Sequence, residues 1–217
     1  MTTVPRIQKN ILASNERRLL DWLCPRLPAW MTPDMMTALG FAGAVMVGTG
    51  YILSNVALSW LWLAQLGYVL NWFGDSLDGS LARYRRIERP KYGYFIDHSV
   101  DALATMVMLA GLGMGPFMEM EIALMALIAY LLLSIHTYLC AQVIDTFKLT
   151  YLAGGPTELR LMLMAMTGAM FVASPDKLFG TDLSAFDIFG LAVSIILMGI
   201  FIAQTTSTAR MLAKRES

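Results

Sequence analysis

Long apolar stretches recur along the chain, separated by short polar connections. Met35–Leu53, Ile122–Ile144 and Ile188–Ala209 contain no formal charge. Leu58–Gly74 is uncharged and then runs into Asp75 and Asp78. Gly93–Met118 is apolar apart from Asp97, His98 and Asp101 near its start. Leu161–Ser174 is shorter and needs Thr157–Arg160 to complete a crossing. Because about 20 mostly apolar residues span the hydrocarbon core, the pattern predicts six transmembrane helices. Ahead of them, Leu12, Leu19, Leu20, Leu23 and Leu27 share one helical face, with Trp22 nearby. Arg17, Arg18 and Asp21 occupy the other face. This reads as an amphipathic helix lying at the membrane surface, ended by Pro25 and Pro28. Thr32-Pro33-Asp34 then supplies an N-cap, a first helical position and an acid near the positive end of the first span. The predicted fold is all-α and polytopic. Residues 1–30 form the interfacial helix and residues 31–217 the six-span domain.

Composition agrees. The chain has 217 residues, 57% of them hydrophobic and 15% charged. A soluble domain normally carries about a quarter charged residues, so an integral membrane protein is expected. The apolar content excludes disorder. Two cysteines, Cys24 and Cys140, exclude a disulfide scaffold and are expected as free thiols. The formal net charge is zero, which gives no reason to expect a nucleic-acid partner. Its distribution matters more. With six spans, fifteen of the sixteen basic residues fall on one face, and only Lys177 on the other. The positive-inside rule makes that face cytoplasmic, with both termini inside and the cell inner membrane as the expected location. Ile11–Leu27 is too basic and too broken for a cleavable signal.

Carboxylates within spans are costly and point to function. Asp75 and Asp78 are spaced i, i+3 near the cytoplasmic end of the second span. Asp97 and Asp101 are spaced i, i+4 near the cytoplasmic start of the third. Each pair shares a helical face. A short basic connection predicts antiparallel packing of these spans, with the two pairs facing. Four close carboxylates require cations. Two hard divalent ions with oxygen ligands fit, and suit phosphoryl transfer. The competing reading is a set of ion pairs with Arg83, Arg85 or Arg86. Gly79, Ala82 and Gly93 lie beside the acids and would let a ligand approach closely. Arg83 offers a donor fork suited to phosphate.

Asp75-Ser-Leu-Asp78-Gly79-Ser-Leu-Ala82-Arg83, followed by Gly93-Tyr-Phe-Ile-Asp97-His-Ser-Val-Asp101, resembles the signature of the CDP-alcohol phosphotransferase family, DxxDGxxAR then GxxxDxxxD. All eight fixed positions are present, with nine residues between Arg83 and Gly93. The resemblance implies transfer of a substituted phosphate from a CDP-linked donor to an alcohol, with release of CMP. It implies that Asp75, Asp78, Asp97 and Asp101 bind two divalent ions, magnesium or manganese. It further implies that Gly79, Ala82, Arg83 and Gly93 shape the CDP site, that Asp101 is the general base, and that the protein is a homodimer.

Two chemistries share this signature. One joins a soluble CDP-alcohol of the choline or ethanolamine type to a lipid alcohol. The other joins CDP-diacylglycerol to glycerol phosphate, inositol phosphate or serine. His98, directly after Asp97, resembles the choline/ethanolamine branch, so the soluble donor is the expectation and the lipid donor the alternative. His98 either shares proton abstraction with Asp101 or donates a hydrogen bond to a carboxylate or the backbone. In Gly154-Gly155-Pro156-Thr157-Glu158-Leu159-Arg160, Thr157 is expected to N-cap the fifth span. Glu158 and Arg160 are candidate substrate contacts. His136 is expected to form an interhelical hydrogen bond. Outside enzymology, the acids could serve a membrane cation-binding protein or transporter.

Overall fold

The computed structural model describes residues 6–7, 13–144, 147–148, 156–173, 176–178, 180 and 182–216. Seven α-helices run through the described residues. They are α1 (Ala13–Leu23), α2 (Pro33–Leu53), α3 (Leu61–Arg85), α4 (Pro90–Met114), α5 (Met120–Val143), α6 (Pro156–Ala169) and α7 (Ala185–Glu216). Two-residue strands, Arg6–Ile7 and Phe147–Lys148, pair in parallel and tie the N-terminal segment to the end of α5. Apart from an isolated antiparallel bridge between Lys177 and Ser184, the rest of the regular structure among the described residues is helical.

By length and composition, α2, α4, α5 and α7 can each cross a membrane. Helix α3 is also 25 residues long, but it carries Asp75, Asp78, Arg83 and Arg85 in its second half. Helix α6 has 14 residues, about 21 Å at 1.5 Å per residue.

Local rules explain the helix ends. Thr32 Oγ1 accepts from Met35 N at 3.2 Å, and Pro33 follows as the first helical residue of α2. Helix α4 stops at Met114 instead of reaching Met118. Gly115 is extended because Pro116 disfavours helical backbone in the residue before it. At the start of α7, Ser184 and Asp187 cap each other reciprocally. The same Asp187 carboxylate accepts from Glu119 N at 2.8 Å and so fixes the entry to α5.

Helix α2 organises the bundle. It packs along α3 and also against α4. A Cβ on Gly43 would lie 2.5 Å from Asn71 N, and one on Gly67 would lie 2.6 Å from Gly43 O. Only glycines permit this backbone approach. On the α4 side, a Cβ on Gly48 would lie 2.7 Å from Val107 O, and Gly111 packs onto Gly48. Helices α3 and α4 were expected to pack on each other, but they form no seam. Each packs on α2, and the acidic faces look into the space left between them.

The apolar face of α1 is largely used by the protein itself. Leu20, Leu23 and Leu27 pack on Met36, Leu77 and Leu81 of α2 and α3. Leu19 and Trp22 stay exposed. Leu12 lies outside the described residues. Arg85, an ion-pair partner for the acids only in the competing reading, gathers the carbonyls of Leu27, Pro28, Ala29 and Met31. It thereby pins the connector between α1 and α2 to the end of α3. His136 bonds Thr205 Oγ1 of α7 through Nδ1 at 3.2 Å, the expected interhelical contact. Both cysteines are free thiols.

Candidate active site

Asp75, Asp78, Asp97 and Asp101 line one small cavity. Helix α3 supplies the first pair from one wall and α4 the second from another. Thr37, Gly40 and Phe41 of α2 close the side between them. Thr37 Oγ1 donates to Asp78 Oδ2 at 2.7 Å, and Gly79 N donates to the other oxygen of that carboxylate. Both bonds fix the orientation of Asp78. Arg160 Nη2 of α6 donates to Asp75 Oδ2 at 2.6 Å.

Asp97, His98 and Asp101 each offer a ligand atom, and these atoms lie within 4.8 Å of one another. His98 Nδ1 is 3.4 Å from Asp97 Oδ2. Its ring stacks on Tyr138, with centroids 4.8 Å apart, and meets the edge of Tyr94. These contacts fix the imidazole beside Asp97. The donor set is therefore carboxylate oxygens from two helices around a small polar space. That chemistry fits hard divalent cations of the magnesium or manganese class.

A second cavity adjoins the first and shares Asn71, Asp101 and Ala104 with it. Its walls are mostly apolar, from Met108, Leu112, Met166, Phe189, Leu197 and neighbours on α4, α6 and α7. Tyr130 and Arg160 line it near Asp101. Asp101 thus stands on the border between a polar and an apolar compartment.

The remaining sequence candidates divide. Gly79 leaves room for Arg83, whose Nη1 would lie 3.3 Å from a Cβ at that position. Arg83 is exposed and donates to Ser80 Oγ at 3.2 Å. Ala82 is partly buried, one turn after Asp78. A Cβ on Gly93 would meet nothing within 4 Å, so α4 is open on that side. Glu158 lies in the first turn of α6, and its side chain is outside the described residues. Thr157 falls inside α6 instead of capping it, and its hydroxyl donates to Glu16 of α1.

Residues 30–209 match the sequence pattern of CDP-alcohol phosphatidyltransferases. The chain belongs to that family. Similar proteins include an archaetidylinositol phosphate synthase of Methanothermobacter thermautotrophicus, 30% identical over 118 residues, 54% of this chain and 56% of that one. The archaetidylinositol phosphate synthase of Pyrococcus horikoshii is 29% identical over 48% of this chain and 52% of its own length. A phosphatidylinositol phosphate synthase of Cutibacterium acnes is 32% identical over 41% and 40% respectively. The chain spans about half the length of the curated relatives it matches.

Two residues that line the cavity escaped the sequence reading. Asn71 precedes Asp75 by one turn and lines both cavities. Its Nδ2 donates to Gly40 O at 3.0 Å, which leaves Oδ1 buried with no partner among the described residues. Thr37 lies one turn after Pro33, at the depth of the acids. The available signal was the same for both: a polar residue inside an apolar span, level with the aspartates.

Proposed function

We propose that the protein transfers a lipid-substituted phosphate from a CDP-linked lipid donor to a phosphorylated polyol of the inositol phosphate type, releasing CMP. The observation that carries this reading is the convergence of four signature aspartates on one cavity in a chain of this family. The relatives named as inositol phosphate synthases support the lipid donor. They outweigh the soluble donor expected from His98, which rested on one residue. The apolar cavity beside Asp101 supports a lipid substrate, since it offers hydrocarbon-like walls next to the polar site.

When bound, two magnesium or manganese ions would hold the donor's pyrophosphate oxygens and offset the charge developing on CMP. Asp75, Asp78, Asp97 and Asp101 are the ligands in this reading. Gly79, Ala82, Arg83 and Gly93 shape the CDP site. The acceptor oxygen bonds the donor's β-phosphorus, and the bond from that phosphorus to the bridging oxygen breaks. Asp101 takes the acceptor's proton, and CMP leaves with the bridging oxygen. His98 orients Asp97. Arg160 offers its guanidinium fork to the acceptor's phosphate, and Glu158 stands beside it.

The same reading places α2 to α7 as six crossings of the inner membrane, with α1 at the cytoplasmic interface, both termini inside and the protein a homodimer. The distribution of basic residues supports the orientation. Exposed Leu19, Trp22 and Trp30 support an interfacial α1.

The test offers purified protein CDP-diacylglycerol with inositol phosphate, or CDP-choline with diacylglycerol, each with magnesium. CMP release from the lipid donor alone is expected. Turnover of CDP-choline alone would overturn the donor assignment. Asp101→Asn should lower the lipid-donor rate by roughly 10²–10⁴-fold while leaving the fold intact.

A further inference from the structure

A carboxylate outside the aspartate cavity joins three helices. Glu16 of α1 accepts from Trp72 Nε1 at 2.9 Å and from Ser76 Oγ at 3.1 Å, both on α3. It also accepts from Thr157 Oγ1 of α6, which is 3.0 Å from each carboxylate oxygen. Trp72 and Ser76 are one turn apart on α3, and Ser76 directly follows Asp75. Thr157 and Arg160 share a face of α6. The first turn of α6 is therefore held to α3 at two successive points. Thr157 is held through Glu16, and Arg160 is held directly by Asp75 at 2.6 Å. Two fixed points set rotation as well as separation. The negative charge of Glu16 also suits the positive end of α6.

The far half of α6 has separate attachments. Gln65 Nε2 donates to Met164 O at 2.8 Å, and Thr167 Oγ1 lies 2.6 Å from the Tyr51 hydroxyl. Removing Glu16 would then free the first turn of α6 at Thr157, along with the Glu16 link between α1 and α3, while the far half of α6 stays attached.

We infer that Glu16 is a positioning residue that sets the first turn of α6 so that Arg160 faces the aspartate cavity. Its kinetic consequence rests on the proposed role of Arg160 toward the acceptor phosphate. Its structural consequence rests on the hydrogen bonds alone.

Two measurements on the full-length protein separate these. In steady-state kinetics, Glu16→Ala should raise the acceptor KM about tenfold, the effect of losing hydrogen bonds to a charged group, with donor KM changed less than about twofold. Glu16→Gln keeps one carbonyl acceptor and should fall between. In an Arg160→Ala background, Glu16→Ala should add nothing. Independent multiplication of the two effects would overturn the inference. The second measurement places spin labels at Tyr84→Cys and Leu161→Cys, both exposed, in a Cys24→Ala, Cys140→Ala background. Glu16→Ala should broaden or shift the α3–α6 distance distribution. An unchanged distribution overturns the inference whatever the kinetics. A broadened distribution with unchanged acceptor KM upholds the positioning and overturns the reading of Arg160. If Glu16→Ala protein does not accumulate, Thr157→Val removes the same contact from the α6 side and carries both measurements.

Discussion

Arg160 on α6 donates to Asp75 on α3 across 2.6 Å, which brings the signature aspartates and the helix after the fourth connection into one site. The two residues are 85 positions apart. A guanidinium fork beside the acids can meet an incoming anion in a way that a point charge cannot.

Arg160→Lys should therefore behave as an intermediate. The charge stays and the bidentate geometry goes. Acceptor KM is expected to rise severalfold in Arg160→Lys and further in Arg160→Ala, with kcat less affected. Equal KM values in wild type and Arg160→Ala would show that Arg160 serves only to pair with Asp75.

Thr37→Val removes the hydroxyl that fixes Asp78 while keeping the side-chain shape. Loss of such a supporting bond to a metal ligand typically costs 10–100-fold in metal affinity or activity. A manganese titration of the variant should show weakening in that range. Unchanged affinity would mean that Gly79 N alone orients Asp78.

The α2–α3 seam depends on missing side chains. A Cβ on Gly67 would lie 2.6 Å from Gly43 O and 2.7 Å from Val47 N. Gly67→Ala should destabilise the bundle by about 1–3 kcal/mol, the usual range for overpacking. Gly199→Ala is the control, since a Cβ there meets nothing within 4 Å. Thermal unfolding should fall for the first and not for the second.

Cys24 is 2% exposed beneath α1. Burial is the main cause that pushes its thiol above the ordinary value, and Asp21 adds to it. The thiolate is the reactive form, so a raised pKa means less of it at neutral pH. Maleimide labelling of native protein at pH 7 should spare Cys24, and labelling should appear only after unfolding. Rapid native labelling would contradict the docking of α1.

Much of this architecture was legible in the residues. Thr32-Pro33 marked the start of α2, because capping is a local interaction between neighbours in sequence. The aspartate pairs were legible because charge inside an apolar span is costly. Other features depended on distant contacts. Thr37 and Asn71 belong to no motif and join the aspartates only where α2, α3 and α4 come together. Glu16 carries no signal in the local sequence, because its three donors come from α3 and α6. Thr157 looked like a cap because its sequence neighbours suit one, but the contact it makes is with α1. The antiparallel pairing expected for α3 and α4 gave way to the glycine seams on α2, which let backbones approach more closely than an acidic face can. His98 pointed toward a soluble donor. In the fold its ring meets Asp97, Tyr94 and Tyr138, contacts set by the packing of α4 and α5 and not by the donor.

The central claim is that Asp75, Asp78, Asp97 and Asp101 together form a two-cation site that holds the CDP moiety. Manganese binding, counted by electron paramagnetic resonance with and without CDP, tests it most directly. Wild type should bind two ions per chain with CDP present, and replacing all four aspartates by asparagine should abolish both while the helices remain folded. Retention of CDP-linked manganese binding by that folded quadruple variant would contradict the claim.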